Sequence, residues 1–222
     1  MFCAVIVAAG SSRRAGFDKL VAPLAGVPVL RRSVDAFVAA GAAAVVVVCP
    51  QSRWEETGLA GAGFPVPVSR VDGGAERQHS VAAGLAALPA GTRMVAVHDG
   101  ARPLITPGGI RACLAAAEEC GAATCAHPVV DTLKRADAAG NSLPEKVSRE
   151  NLWGMETPQI FRLDLLLQAY EHVKAHSLVV TDEVSALESL GIATRLVPGG
   201  ANLKITLPGD LELAELIWTH RA

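Results

Sequence analysis

A doubly wound α/β fold built on one mostly parallel sheet is predicted by three features of this chain. Short apolar runs bounded by turn residues recur along it, stretches of helical period separate them, and the runs are apolar throughout and rich in valine. Strands apolar on both faces belong to a sheet covered on both sides, because crossover helices must lie on the sheet to bury it. With 222 residues, half of them apolar, the chain can bury one substantial core, and a single domain over residues 1–222 is expected.

The strand-like runs are Cys3 to Ala9, Ala44 to Cys49, Val66 to Ser69, Met94 to His98 and Ala122 to Pro128. Leu30, Val34, Phe37 and Val38 repeat at helical spacing after Pro28, a residue suited to a helix start, and before Gly41, one suited to a helix end. Val81, Leu85 and Leu88 mark a second helix. Asp131 to Glu150 breaks the rhythm: it is polar, carries the turn-prone run Asp137 to Asn141, and is flanked by segments able to pair. It reads as a protruding β-arm whose Leu133, Leu143 and Val147 would be covered by a second subunit, the alternative being a surface loop. Helical signals return at Leu163 to Lys174 and Asp182 to Leu190, Lys204 to Leu207 is strand-like, and Pro208 opens a last helix.

Composition excludes several classes. The 20 basic and 22 acidic residues nearly cancel, so no global field favours nucleic acid or an anionic membrane, and a polyanion site must be built locally. The five cysteines are odd in number and lack C-x-x-C spacing, which argues for reduced core residues over a disulfide framework or a zinc site. Met1 to Gly10 is apolar, but no basic residue precedes it and Arg13 and Arg14 follow it, the wrong order for export. No apolar span approaches the roughly 18 residues of a membrane helix. A soluble, cytoplasmic protein is expected.

Ligands of open α/β sheets bind beyond the carboxyl ends of the strands, so the residues after each run carry the functional reading. Val7-Ala-Ala-Gly-Ser-Ser-Arg-Arg14 has little side-chain bulk and is followed by Lys19. Small residues let backbone N–H groups approach a phosphate chain, and Arg14 and Lys19 can neutralise charge that builds up in phosphoryl transfer. It is neither a Walker loop nor a three-glycine dinucleotide fingerprint, and a small-residue turn of this kind taken alone is more often a structural turn with solvated arginines. Asp72 to Ser80 places Gly73, Gly74 and the Ser80 hydroxyl at a strand-to-helix junction, where a flat base can enter edge-on. Val97-His-Asp-Gly-Ala-Arg-Pro103 ends a strand with an acid, and Asp99 can hold a magnesium ion bridging phosphates, with Arg102 tying the loop. His98 reads as packing at a strand end, since no second ligand is spaced to join it. His172 and His176 lie four apart without the glutamate of a zinc protease helix, and read as a solvated face. Thr132, Lys134, Arg149, Thr157 and Lys204 are hydroxyls and cations suited to a second anionic substrate.

Taken in order, these segments resemble the 2-C-methyl-D-erythritol 4-phosphate cytidylyltransferase family. The resemblance runs through AAG-x-x-x-R at Ala8 to Arg14, Lys19, GG-x-ER-x-x-S at Gly73 to Ser80, VHD-x-ARP at Val97 to Pro103 and DT-x-KR at Asp131 to Arg135. It continues through R-x-x-LW-x-x-x-TPQ-x-F at Arg149 to Phe161, TDE-x-SALE at Thr181 to Glu188 and N-x-K-x-T at Asn202 to Thr206. It implies a Rossmann-like nucleotidyltransferase that moves CMP from CTP to methylerythritol phosphate with Mg²⁺ or another divalent cation. By resemblance, Ala8, Ala9, Gly10, Gly74, Ser80 and Gly100 line the CTP pocket, and Arg14 with Lys19 stabilises the transition state. Arg149 and Lys204 position the acceptor with Thr132 and Thr157 nearby, in a homodimer whose 131–150 arm brings Thr132 and Arg149 to the partner's site. The chain departs from the family pattern at Val7, Ser12, Asp18 and Ala75, of which Ser12 and Ala75 border the expected nucleotide pocket. A ribitol 5-phosphate cytidylyltransferase shares the CTP half of such a site, and a nucleotide-binding regulatory protein without turnover is the alternative of a different class.

Overall fold

The computed structural model describes residues 1–10 and 17–221. In chain order its elements are β1 (Phe2–Val7), a small hairpin of β2 (Pro23–Leu24) and β3 (Val27–Pro28), α1 (Val29–Ala39), β4 (Val45–Val48), α2 (Gln51–Glu56), β5 (Val68–Val71) and α3 (Arg77–Ala86). There follow β6 (Met94–Asp99), α4 (Pro107–Cys120), β7 (Ala122–Pro128), β8 (Trp153–Arg162), α5 (Leu163–Ala175), α6 (Glu183–Glu188), β9 (Arg195–Pro198) and α7 (Pro208–His220). Among the described residues, seven strands form one sheet in the order β5-β4-β1-β6-β8-β7-β9. Within it β8 runs against its neighbours β6 and β7, and the other pairings are parallel, as expected for a mostly parallel sheet.

Successive side chains of a strand point to opposite faces, and β1 shows how this fills two cores. Ala4 and Ile6 pack with Leu30, Val34 and Phe37 of α1 and Ile110 of α4, whereas Val5 packs with Val81 and Leu85 of α3, Val97 and Leu187. Helices cover both faces because each face of the central strands is apolar. Four cysteines are buried free thiols, while Cys120, at the end of α4, is exposed. Among the described residues no helix is long and apolar enough to cross a membrane.

Two expectations are corrected. Lys204 to Leu207 is not a strand: its backbone donors go to a loop and a carboxylate, Ile205 N–H to Ala101 O at 2.9 Å and the Thr206 and Leu207 N–H groups to Asp210 Oδ2 at 2.7 Å. Strand β9 takes the place beside β7 instead. In the 131–150 arm, the flanking segments do not form a ladder. The turn forms, with the Asp137 carboxylate accepting from Ala139 and Asn141 N–H, but the pairing above it is one isolated bridge, Ala136 to Ser142. The arm is exposed almost throughout, with Leu133 and Val147 half-buried.

Candidate active site

The carboxyl ends of β1, β5 and β6 open onto one crevice, where strand order reverses around β1. Ala8, Ala9 and Gly10 leave β1 there. Ala8 is buried, donates its N–H to Val48 O at 2.8 Å, and its carbonyl accepts from Arg53 Nη1. The loop after β5 closes onto this turn through Gly73: a Cβ added there would lie 2.3 Å from that of Ala9 and 2.9 Å from Ser80 Oγ. Only glycine permits that approach. Ser80, expected to read a base, is 2% exposed. Its Oγ accepts from Gly74 N–H at 3.1 Å and donates to Glu76 O at 3.2 Å, so in this structure the hydroxyl shapes the loop from within.

Asp99 ends β6 with its carboxylate in a ring of cations. Lys204 Nζ lies 2.7 Å from Oδ2, Arg77 Nε 3.6 Å from Oδ1 and Arg102 Nε 3.9 Å from Oδ2. Burial alone would raise its pKa, but Lys204, Arg77 and Arg102 outweigh it and hold Asp99 at about 2. Arg102 ties the loop, as expected, by donating to Asn202 O at 2.8 Å. Gly100 lies beneath, its N–H bound to Val7 O at 3.0 Å.

The 202–206 segment is stitched onto this loop. Besides the Arg102, Lys204 and Ile205 contacts, Lys19 Nζ donates to Ile205 O at 2.6 Å, so a lysine near the start of the chain reaches the backbone of the residue that follows Lys204. Asn202 is buried and donates through Nδ2 to Glu156 Oε2 at 2.8 Å and Thr157 O at 2.7 Å.

Because β8 is antiparallel, it delivers its amino-terminal half to this end of the sheet. Thr157 therefore sits under Asp99, but it is 4% exposed and its hydroxyl accepts from Asp99 N–H at 3.0 Å and donates to His98 Nδ1 at 3.1 Å. In this structure the hydroxyl supports the Asp99 backbone. Fully buried His98 completes the chain by donating Nε2–H to Arg102 O at 3.2 Å, a pattern that specifies the neutral tautomer. Burial is the main cause of its pKa falling to about 4.

Thr132 and Arg149 stand on the exposed arm, where Arg149 Nη1 donates to Val130 O. Arg14 and Ser12 lie outside the described residues. Asp18, which departs from the family pattern, pairs with Arg53 at 2.7 Å, and Ala75 lies exposed in the loop between Gly74 and Glu76.

Several participants carried no assigned role in the sequence. Arg77 forks onto Glu183 at 2.6 and 2.9 Å and turns its Nε edge to Asp99. Glu183 is fully buried, also accepts from Tyr170 OH at 3.0 Å, and its N–H donates to Gln159 Oε1 at 3.1 Å. Gln159 Nε2 in turn donates to Asp182 Oδ2 at 2.9 Å. Their signal lay inside the quoted motifs, GG-x-ER, TPQ and TDE, which are segments of one hydrogen-bonded network.

These residues do not fit a protein-held magnesium ion. A divalent cation on Asp99 would displace the Lys204 ammonium and face two guanidinium groups.

The family model described as "IspD: 2-C-methyl-D-erythritol 4-phosphate cytidylyltransferase" matches residues 2–220. The 2-C-methyl-D-erythritol 4-phosphate cytidylyltransferase of Deinococcus radiodurans is 45% identical over 221 residues, covering 98% of this chain and 89% of that protein. The bifunctional enzyme IspD/IspF of Desulforudis audaxviator is 43% identical over 221 residues, covering 96% of this chain but 56% of the relative, so the chain spans little over half of that protein. The crystal structure of the Thermus thermophilus 2-C-methyl-D-erythritol 4-phosphate cytidylyltransferase superposes with a TM-score of 0.78 at 34% identity, covering 98% of each chain.

Proposed function

The chain belongs to the 2-C-methyl-D-erythritol 4-phosphate cytidylyltransferase family, and from that premise we propose that it transfers CMP from CTP to 2-C-methyl-D-erythritol 4-phosphate, releasing pyrophosphate. The observation that supports the roles is that the 204–205 segment joins both lysines to the site, Lys19 donating to Ile205 O at 2.6 Å and Lys204 to Asp99 at 2.7 Å. Lys19 follows the nucleotide turn and Lys204 borders the acceptor half, so two anionic reactants entering between them are drawn together.

A phosphate oxygen of the acceptor attacks the α-phosphorus of CTP in line. A P–O bond forms there as the bond to the β-phosphate breaks, and pyrophosphate leaves with the electron pair. The backbone of Ala8 to Gly10 and the glycine loop of Gly73 and Gly74 cradle the nucleotide. Lys19 and Arg14 stabilise the charge that accumulates on the α-phosphate, and Lys204 holds the acceptor phosphate. Magnesium is the proposed divalent ion, and it would enter with the nucleotide and offset the charge of its phosphates. The arm is proposed to dock on a second copy, carrying Thr132 and Arg149 to that copy's acceptor site. Exposed Val130, Leu143 and Leu152 support this reading.

The test is pyrophosphate release from CTP and magnesium with methylerythritol phosphate, ribitol 5-phosphate or no acceptor. Release with methylerythritol phosphate alone is expected. Release with ribitol 5-phosphate alone reassigns the acceptor, and CTP binding without release points to a regulatory nucleotide binder.

A further inference from the structure

A run of ion pairs leads from the buried core to the exposed, proposed acceptor lysine. Glu183, with no exposed surface, sits at one end, and beyond it lie Arg77, Asp99 and Lys204, alternating in sign. A buried carboxylate is tolerated only when paired and hydrogen-bonded, and Glu183 has the Arg77 fork and the Tyr170 hydroxyl. Burial discourages the Arg77 charge, but Glu183 more than offsets this and raises its pKa, so Arg77 is permanently cationic. Both Nη groups are occupied by Glu183, which fixes the plane of the guanidinium and leaves the Nε edge 3.6 Å from Asp99 Oδ1. The other carboxylate oxygen, Oδ2, carries Lys204.

We propose that Arg77 is a positioning residue of the acceptor half: clamped on Glu183, it fixes the rotation of the Asp99 carboxylate and through it the place of the Lys204 ammonium. This rests on the cytidylyltransferase reading above. A lysine at position 77 keeps the charge but has no planar fork, and cannot span Glu183 and Asp99 together. Asp99 then turns toward Lys204 and Arg102 without restraint on its second oxygen.

The experiment is steady-state kinetics of the full chain carrying Arg77→Gln, Arg77→Lys, Glu183→Gln, Lys204→Gln and the Arg77→Gln/Lys204→Gln double variant, each checked by thermal unfolding. In Arg77→Gln the KM for methylerythritol phosphate is expected to rise by about ten- to a hundredfold, the range carried by one hydrogen bond to a charged group, with KM for CTP little changed. Arg77→Lys should recover little of this, Glu183→Gln should reproduce part of it, and the double variant should match Lys204→Gln alone, since both changes act through one ammonium. Equal rises in both KM values would make Arg77 a part of the nucleotide loop and overturn the proposal. So would additive effects in the double variant, or a fall in kcat with both KM values unchanged, the mark of lost active protein. Should Arg77→Gln not fold, Arg77→Lys and Glu183→Gln carry the same comparison. Absence of turnover in the unmodified chain would defeat the cytidylyltransferase reading itself, whereas turnover with unaltered Arg77 variants defeats only this inference.

Discussion

The Arg53 guanidinium holds the Asp18 carboxylate at 2.7 and 2.9 Å while its Nη1 donates to the Ala8 carbonyl. One buried side chain thus ties the start of the β1 turn to the residue before Lys19. Asp18 Oδ1 also accepts from Leu20 N–H at 3.1 Å, which stiffens the backbone around that lysine. Asp18→Ala should therefore weaken CTP use more than stability. The pair is partly exposed on the Asp18 side, so the stability cost is expected at about 1 kcal/mol. A several-fold higher KM for CTP with an unchanged acceptor KM is the expected kinetic result, and unchanged CTP kinetics would remove Asp18 from this role.

Lys19→Ala removes the cation proposed to stabilise the transferring phosphate. Loss of one such contact costs about 2.7 to 4 kcal/mol, a hundred- to thousandfold in rate. Single-turnover measurement at saturating CTP isolates the chemical step. Near-normal turnover in the folded variant would exclude the role.

Gly73→Ala tests the closure of the β5 loop on the β1 turn. The new methyl would lie 2.3 Å from the Ala9 Cβ, so backbone must move. CTP binding, read by titration calorimetry, should weaken at least tenfold, while far-ultraviolet circular dichroism stays native because the shift is confined to the loop. Unaltered affinity would mean that the nucleotide does not depend on this contact.

Legibility of the sequence followed the direction of the strands. Runs such as Cys3 to Ala9 and Met94 to His98 are apolar on both faces and announce parallel strands, and their carboxyl ends hold Ala8 and Asp99. Strand β8 escaped notice because Pro158 interrupts it and cannot donate to a ladder. The fold absorbs the proline where the β7 pairing shifts between Thr124 and Ala126 and the β6 pairing ends at Gln159. An antiparallel strand brings its beginning to this end of the sheet, so Glu156, on Asn202 at 2.8 Å, enters a site that reading along parallel strands does not assign it. Arg77 and Glu183 are paired across 106 residues, a relation no local spacing encodes. Lys204 to Leu207 has strand-like composition, but its hydrogen bonds are claimed by Ala101 and Asp210.

Asp99→Asn separates a metal ligand from a holder of lysine. The amide leaves Lys204, Arg77 and Arg102 without their common anion, and breaking a buried pair of this kind costs about 3 kcal/mol or more of stability. The structure predicts a large rise in acceptor KM with the magnesium concentration giving half-maximal rate unchanged. A shift of that concentration by tenfold or more would restore Asp99 as a direct ligand of the ion.

His98 predicts the acid limb of stability. Its folded pKa of about 4 lies below the ordinary 6.5, so the unfolded chain binds the proton first as pH falls. Stability from this group is therefore complete above pH 6.5 and drains away between 6.5 and 4, by about 3 kcal/mol in all. Asp99 acts in a lower window: its pKa is depressed from 3.8 to about 2, so its contribution persists until pH falls below 3.8 and is lost toward 2. Urea unfolding at half-unit steps from pH 7.5 to 4.5 separates the two, because Asp99 stays ionised in both states across most of that range. His98→Gln keeps a donor for the Arg102 carbonyl and lacks the titrating ring, so its stability curve should be lower at neutral pH and flatter toward acid. A variant with the same acid slope as the parent would show that other groups carry it, and that His98 is not the buried neutral bridge between Thr157 and Arg102 which the hydrogen bonds describe.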